Sequence, residues 1–461
     1  MKLFKTHSGN SRTPGGVKEL FALALPMMIS TACDGVMTFT DRLFLARVGS
    51  VQMNAALGGG IAMQMMTFLF GGLIGYATAL TAQYYGAEQK PTASVAAFQA
   101  MLIAVAAYPI IILAKPLTEA YFGYMEIPAS QLGYQIEYLN ILILGSVFGL
   151  LRHTLSCYFT GIGKTKIVMT ATLVAMVVNI VLDYVLIFGK FGLPVMGIRG
   201  AAFATISGTL VAMMILFAAY FSSRNRVEFH VMKSFRFNWV IMKKLLYYGS
   251  PAGLEMFLNF FAFSTMTALF HSEGDTVATA VSVMYNWDLV SFIPLLGIEI
   301  AITGLVGRYM GAGRPDYAGN AAGSAIKIGI LYSVIVLILF VFVPEWLARV
   351  FSPDTPSTVF EASVPIAVSM IRIAAIYVLA EAVMVAVVGT LRGAGDTYFT
   401  MIASVASHWL FLPIIYFSLK VLKLSVSISW LLMVIFFMLF CTVLVHRYLK
   451  GKWKTMEVIE K

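Results

Sequence analysis

Residues 222–244 read SSRNRVEFHVMKSFRFNWVIMKK, and no other interruption of the chain is as long, as polar or as basic. On either side of it the sequence is apolar in runs of bilayer length. A hydrocarbon core of about 30 Å takes about 20 helical residues. Cutting at polar, Gly and Pro clusters gives segments near 18–46, 52–85, 92–113, 130–160, 166–189 and 198–221 before the interruption. Six more follow, near 240–271, 275–311, 318–343, 358–392, 398–420 and 425–448. The basic stretch therefore reads as a linker between an N-lobe, residues 1–231, and a C-lobe, residues 232–461. The runs are continuous rather than alternating, which argues against barrel strands. The predicted fold is an all-α polytopic membrane protein, with twelve transmembrane helices in two pseudo-symmetric six-helix lobes.

Composition agrees. Of 461 residues, 59% are hydrophobic and 12% charged, with a mean hydropathy of +0.85. Soluble domains carry about 25% charged residues, so the chain does not read as a cytosolic enzyme, a nucleic-acid-binding domain or a disordered segment. The net charge of +10 is a topology signal. Outer segments would hold only Arg42, Arg47, Lys115, Lys190, Arg199, Arg349, Lys420 and Lys423, while the basic leader, the linker and the C-terminal tail lie inside. The positive-inside rule then places both termini in the cytoplasm, with the chain in the inner membrane and no nucleic-acid partner. The first apolar run is too long for a signal-peptide core and reads as an uncleaved first span. Cys33, Cys157 and Cys441 sit inside apolar runs, as small buried residues do.

An internal repeat fixes the relation between the halves. Leu25-Pro26 matches Ser250-Pro251, and AQYYGAEQ (82–89) lies over GRYMGAGR (307–314), both at an offset of 225. GIGKT (161–165) lies over GAGDT (393–397) at an offset of 232. With six spans per half, both halves enter from the same side, as in parallel repeats related by an axis along the membrane normal. A substrate cavity is expected between them near the midplane.

Seven acids fall inside predicted spans: Asp34, Asp41, Asp183, Glu255, Asp288, Glu299 and Glu381. Each costs about 2.5–3.5 kcal/mol at a helix centre on insertion scales, and such residues mark ion pathways by default. Arg372, nine residues before Glu381, is the clearest cation inside a span. Too few cations accompany the acids to neutralise them, so some should bind protons or external cations. Asp34 and Asp41 are seven apart and share a face of span 1. Asn179 and Asp183 are i, i+4 on span 5, and Glu255 and Asn259 are i, i+4 on span 7. Carboxylates beside amide oxygens make a hard-oxygen site suited to Na⁺ or a shared proton. Asp288 and Glu299 share span 8, and aromatic residues near them in sequence, Tyr285 among them, suit a hydrophobic cation. Pro26 and Pro251 each remove one backbone hydrogen bond and kink their spans.

No catalytic residues are expected. GIGKT and GAGDT lack the P-loop spacing and follow helices, so their glycines read as helix-end turns. No HExxH, GxSxG or Cys/His ligand pair occurs, and His153 and His408 read as packed residues.

These features resemble the multidrug and toxic compound extrusion (MATE) family of secondary transporters. The most specific match is LRGAGDT (391–397), after the tenth span. DRLFLARVGS (41–50), LVGRYMGAGRP (305–315) and NIVLDYVLIFG (179–189) add to it, and the likeness runs over essentially the whole chain. The resemblance implies the MATE fold and a monomeric antiporter in membrane lipid, without a cofactor. It would export small amphipathic or cationic organic compounds against Na⁺ or H⁺ by alternating access. Asp41, Asn179 and Asp183 fall on the family's N-lobe cation site, where Na⁺ would bind, and Asp34 is grouped with them. Glu255, Asn259, Tyr285, Asp288, Glu299 and Glu381 would line the C-lobe side of the cavity. The N-lobe pattern is DinF-like and Glu381 is NorM-like, although Asn259 stands where the NorM-like branch tends to carry a glutamate. A lipid-linked precursor flippase of the wider superfamily is the alternative. It would call for a cationic cavity and usually extra spans. A receptor or scaffold would need neither the acids nor the repeat.

Overall fold

The computed structural model describes residues 13–124, 127–352 and 357–460; Lys2, Lys5 and Arg12 of the basic leader lie outside them. Among the described residues, eleven helices are long and apolar enough to cross a bilayer, and the count is twelve if one bent pair is taken as a single span. Spans 1 to 6 run Val17–Val48, Ser50–Gly86, Lys90–Gly123, Ala129–Gly161, Thr165–Phe188 and Ile198–Tyr220. Spans 7 to 9 run Trp239–His271, Asp275–Gly311 and Pro315–Phe342. Span 10 is Thr358–Ala374 plus Val378–Ala394, bent by 51° between them, and Thr397–Val421 and Val426–Leu449 complete the set. The spans match the apolar runs because backbone polar groups in hydrocarbon must be satisfied within the helix. The glycines of the two GxGxT segments act as expected: spans 4 and 10 end there, with Gly163 at φ +75° and Gly395 at φ +104°. All three cysteines are buried and form no disulfide, and Cys157 Sγ lies 3.8 Å from His153 Nε2.

The offset of 225 reappears as contact symmetry. A Cβ on Gly86 would strike the carbonyl of Arg308, and a Cβ on Gly311 would strike the carbonyl of Gln83. Each partner is the other's counterpart under the repeat. Likewise Gly72 of span 2 lies against Ala252 and Gly253 of span 7, and Gly297 of span 8 lies against Met28 of span 1. Small residues let backbones approach where lipid supplies no hydrophobic drive. These approaches, with Gln83 Nε2 donating to the Gly393 carbonyl at 2.9 Å and an ion pair between Glu19 and Arg308, all lie toward the end of the bundle that carries both termini and the linker. The halves are packed closely against each other there.

That close packing makes a prediction. Gly86→Ala and Gly311→Ala place a methyl on rigid backbone and should each cost about 1–3 kcal/mol by overpacking. Gly319, helical with open space at its Cβ, gives the control: Gly319→Ala should be neutral or mildly stabilising. Melting temperatures in detergent separate the two cases.

Candidate functional site

The acids inside the spans fall into four settings, and each is assembled from helices distant in sequence. In the first half, Asp41 on span 1 meets spans 5 and 6. Asn179 Nδ2 donates to Asp41 Oδ1 at 3.3 Å, and Thr205 Oγ1 donates to Asp41 Oδ2 at 3.0 Å. Asp183 is fully buried and lies near enough to Asp41 for the two carboxylates to act on each other by charge. Neither Asp183 oxygen has a protein donor, and Asn179 Oδ1 also lacks one. Tyr138 of span 4 lies close enough to feel both carboxylates. Two acids packed together with orphaned oxygens cannot both stay ionised without help. Burying such charge unpaired is prohibitive, so the site calls for a shared proton or a bound cation. The donor set, two carboxylates with an amide and a hydroxyl oxygen, is hard and fits Na⁺ as well as H⁺. Among the described residues no group of three or more His, Cys, Asp and Glu is placed to hold a metal ion.

Asp34 does not join this cluster. It shares the Asp41 face of span 1, but two turns away it meets span 4, where Arg152 Nη1 lies 3.2 Å from its carboxylate. Almost half of the Asp34 side chain is exposed. Its grouping with Asp41 is therefore corrected: equal facing along one helix does not give equal neighbours across the bundle.

The second half holds two further clusters. Glu255 of span 7 and Glu299 of span 8 both pair with Arg392 of span 10, the former at 3.0 Å. Two carboxyl groups thus share one guanidinium, and both acidic side chains are largely buried. Asn259 points elsewhere and donates to Ser404 Oγ at 2.8 Å, while His408 Nδ1 lies 2.8 Å from the Ser404 carbonyl. One helical turn separates Glu255 from Asn259, yet they serve different partners.

The remaining pair sits where span 10 bends. Tyr377, at the break, donates its hydroxyl to Asp288 of span 8, and Glu381, in the first turn after the break, is close enough to interact with Asp288 by charge. One Glu381 oxygen is buried without a partner. The counterpart span 4 is unbroken over Ala129–Gly161, so this cluster has no mate in the first half. Tyr285 packs against Phe263 and Trp430, as a core aromatic does.

Several contributors were not legible beforehand. Arg372 is exposed; the cations paired with the acids are Arg152 and Arg392, and Arg42 acts on Asp41 by charge. Arg392 lies inside the LRGAGDT match, which is the one sequence signal for it. Thr205 and Tyr138 carry no signal, being single polar atoms in apolar helices. Tyr377 marks the bend, and nothing in the local sequence announces it.

The MatE family model matches residues 26–185 and 251–417. The chain is 29% identical to "Multidrug resistance protein PmpM" of Pseudomonas aeruginosa over 85% of this chain and 82% of that one. It is also 29% identical to "Probable multidrug resistance protein NorM" of Thermotoga maritima, over 100% of this chain and 98% of the other. Among solved structures, "Outward-facing conformation of a multidrug resistance MATE family transporter of the MOP superfamily" superposes with a TM-score of 0.85 at 20% identity, covering 96% of this chain and 97% of that one. At that identity the last likeness speaks to the fold alone.

Proposed function

The chain belongs to the MatE family of membrane transporters, and on that premise we propose that it is a secondary active exporter of small amphipathic or cationic organic compounds. Na⁺ or H⁺ entering down its gradient drives the exchange, without a cofactor. The chain acts as a monomer in the inner membrane, with both termini in the cytoplasm. In this reading the contacts between the halves at the terminus-bearing end close the path on that side, and the ion enters from the other.

The observation that carries this reading is the Asp41–Asp183 cluster, whose buried Asp183 and Asn179 oxygens lack donors. It lies toward the far ends of spans 1 and 5, where an ion arriving from outside would reach it first. Filling the cluster removes the repulsion between its two acids. A ligand shifts a conformational equilibrium only by its differential affinity for the two states, and relief of that repulsion is such a difference. The relatives named as multidrug resistance proteins support the substrate class. The C-lobe carboxylates would offer the cation in the substrate a counter-charge, with Arg392 limiting the net charge it meets.

The test is efflux of a fluorescent lipophilic cation from proteoliposomes under an imposed Na⁺ gradient, and separately under an imposed pH gradient. One gradient should accelerate efflux severalfold over ungated leak. No stimulation by either would overturn the reading.

A further inference from the structure

The linker that divides the halves is not a slack tether. Asn225, Phe229, Val231 and Ser234 are buried, and side chains of the first half grip it. Lys164 Nζ donates to Asn225 Oδ1 at 2.8 Å, Ser94 Oγ to the Phe229 carbonyl at 2.8 Å, and Gln99 Nε2 to the Arg236 carbonyl at 2.9 Å. Glu228, the one acid of the stretch, lies 2.9 Å from Lys90 and 3.8 Å from Arg224. Burial opposes its ionisation, but the Lys90 hydrogen bond and the charges of Lys90, Lys164 and Arg224 outweigh that and hold its carboxyl below the ordinary value. The acid is thus consumed internally.

What the docked linker turns outward is basic and apolar at once. Arg224, Arg226, Lys233 and Arg236 are exposed. Between them Val227 is 77% exposed, Met232 62%, Phe237 61% and Trp239 61%. Apolar side chains held outward in this number are costly to leave in water. Its position follows from continuity: span 6 ends at Tyr220, and Trp239 is the first residue of span 7, so the stretch lies at the depth of the headgroups. Aromatic residues favour that level, and clustered Lys/Arg beside apolar side chains is the composition that anionic leaflets attract.

We propose that the 222–240 linker is a docking surface for anionic phospholipid headgroups of the leaflet on the terminus-bearing side. Its apolar side chains enter the acyl boundary and its four exposed cations bind phosphate. This reading stands apart from the transport activity and does not depend on it.

The test uses Trp239 as reporter. The full chain is placed in mixed micelles with brominated phosphatidylglycerol or brominated phosphatidylcholine at equal mole fraction, and the Trp239 share of quenching is taken by difference against Trp239→Phe. Half-saturation should need at least about 10-fold less phosphatidylglycerol than phosphatidylcholine, since each basic residue near an anionic surface adds severalfold in affinity and four lie on this face. Replacing Arg224, Arg226, Lys233 and Arg236 by Gln should bring the two lipids together. Raising salt to about 1 M, where the Debye length falls to about 3 Å, should do the same in the unaltered chain, so the result does not rest on a variant that folds poorly. Equal quenching by the two lipids in low salt would overturn the proposal. So would no quenching of Trp239 by either, which would turn the face toward the aqueous phase or a protein partner.

Discussion

Asp41→Asn is expected to lower ion-driven efflux by between about 5- and 150-fold, the range that a coupling free energy of 1–3 kcal/mol spans. Asp41 is the member of the N-lobe cluster that receives both donors, from Asn179 and Thr205, and it sits against the donorless Asp183. An amide in its place keeps the volume and one acceptor oxygen but removes the second carboxylate. The cluster then no longer needs to take up an ion to relieve repulsion, so the ion gains little differential affinity for either conformation. Folding should survive, because a charge is removed from a crowded acidic site rather than left unpaired. The comparison is the initial efflux rate in proteoliposomes beside substrate binding in detergent, which should change little. Asp34→Asn supplies the contrast: its carboxylate pairs with Arg152 and is half-exposed, so its loss should cost much less coupling. Full efflux by Asp41→Asn would remove the N-lobe cluster from the mechanism.

Arg392→Gln should instead act on stability. Arg392 is the cation against both Glu255 and Glu299, and removing one partner of a buried pair typically costs about 3–5 kcal/mol, because the charge left behind is uncompensated. About a quarter of the Arg392 side chain reaches solvent, so the lower part of that range applies. The melting temperature in detergent should fall clearly. Because the damage is the stranded negative charge, Glu299→Gln added to Arg392→Gln should recover much of the loss. The two changes would then be strongly non-additive, as expected for residues in contact. A double variant as unstable as the sum of its parts would mean that Arg392 stabilises through packing of its aliphatic stem alone.

Legibility differed sharply between fold and site. The spans were readable because hydropathy accumulates over contiguous residues and a bilayer demands a set length. Span 2 shows the limit. Its helix is interrupted at Tyr76, between Ser50–Gly75 and Ala77–Gly86, and the apolar run carries no mark of that break. The acids were readable because any carboxylate in an apolar run is anomalous. Their grouping was less so. Helical spacing placed Asn179 and Asp183 together, and they do share the Asp41 site. The same rule joined Asp34 to Asp41 and Glu255 to Asn259, where the partners diverge. Along one helix, spacing tells which residues share a face, but each turn meets a different neighbour.

The sequence by itself determined a polytopic membrane chain, the positions of its twelve apolar runs, the repeat at an offset of 225, and the seven acids whose presence needs a reason. All of these are properties summed or repeated along the chain. Only the tertiary structure decided which acids meet which partners: Asp41 with Thr205, Asp34 with Arg152, Glu255 and Glu299 with Arg392, and Asp288 with Tyr377. Those pairings are fixed by how helices tens or hundreds of residues apart cross and where one of them bends. Packing geometry of that kind leaves no trace in the hydropathy of any single span.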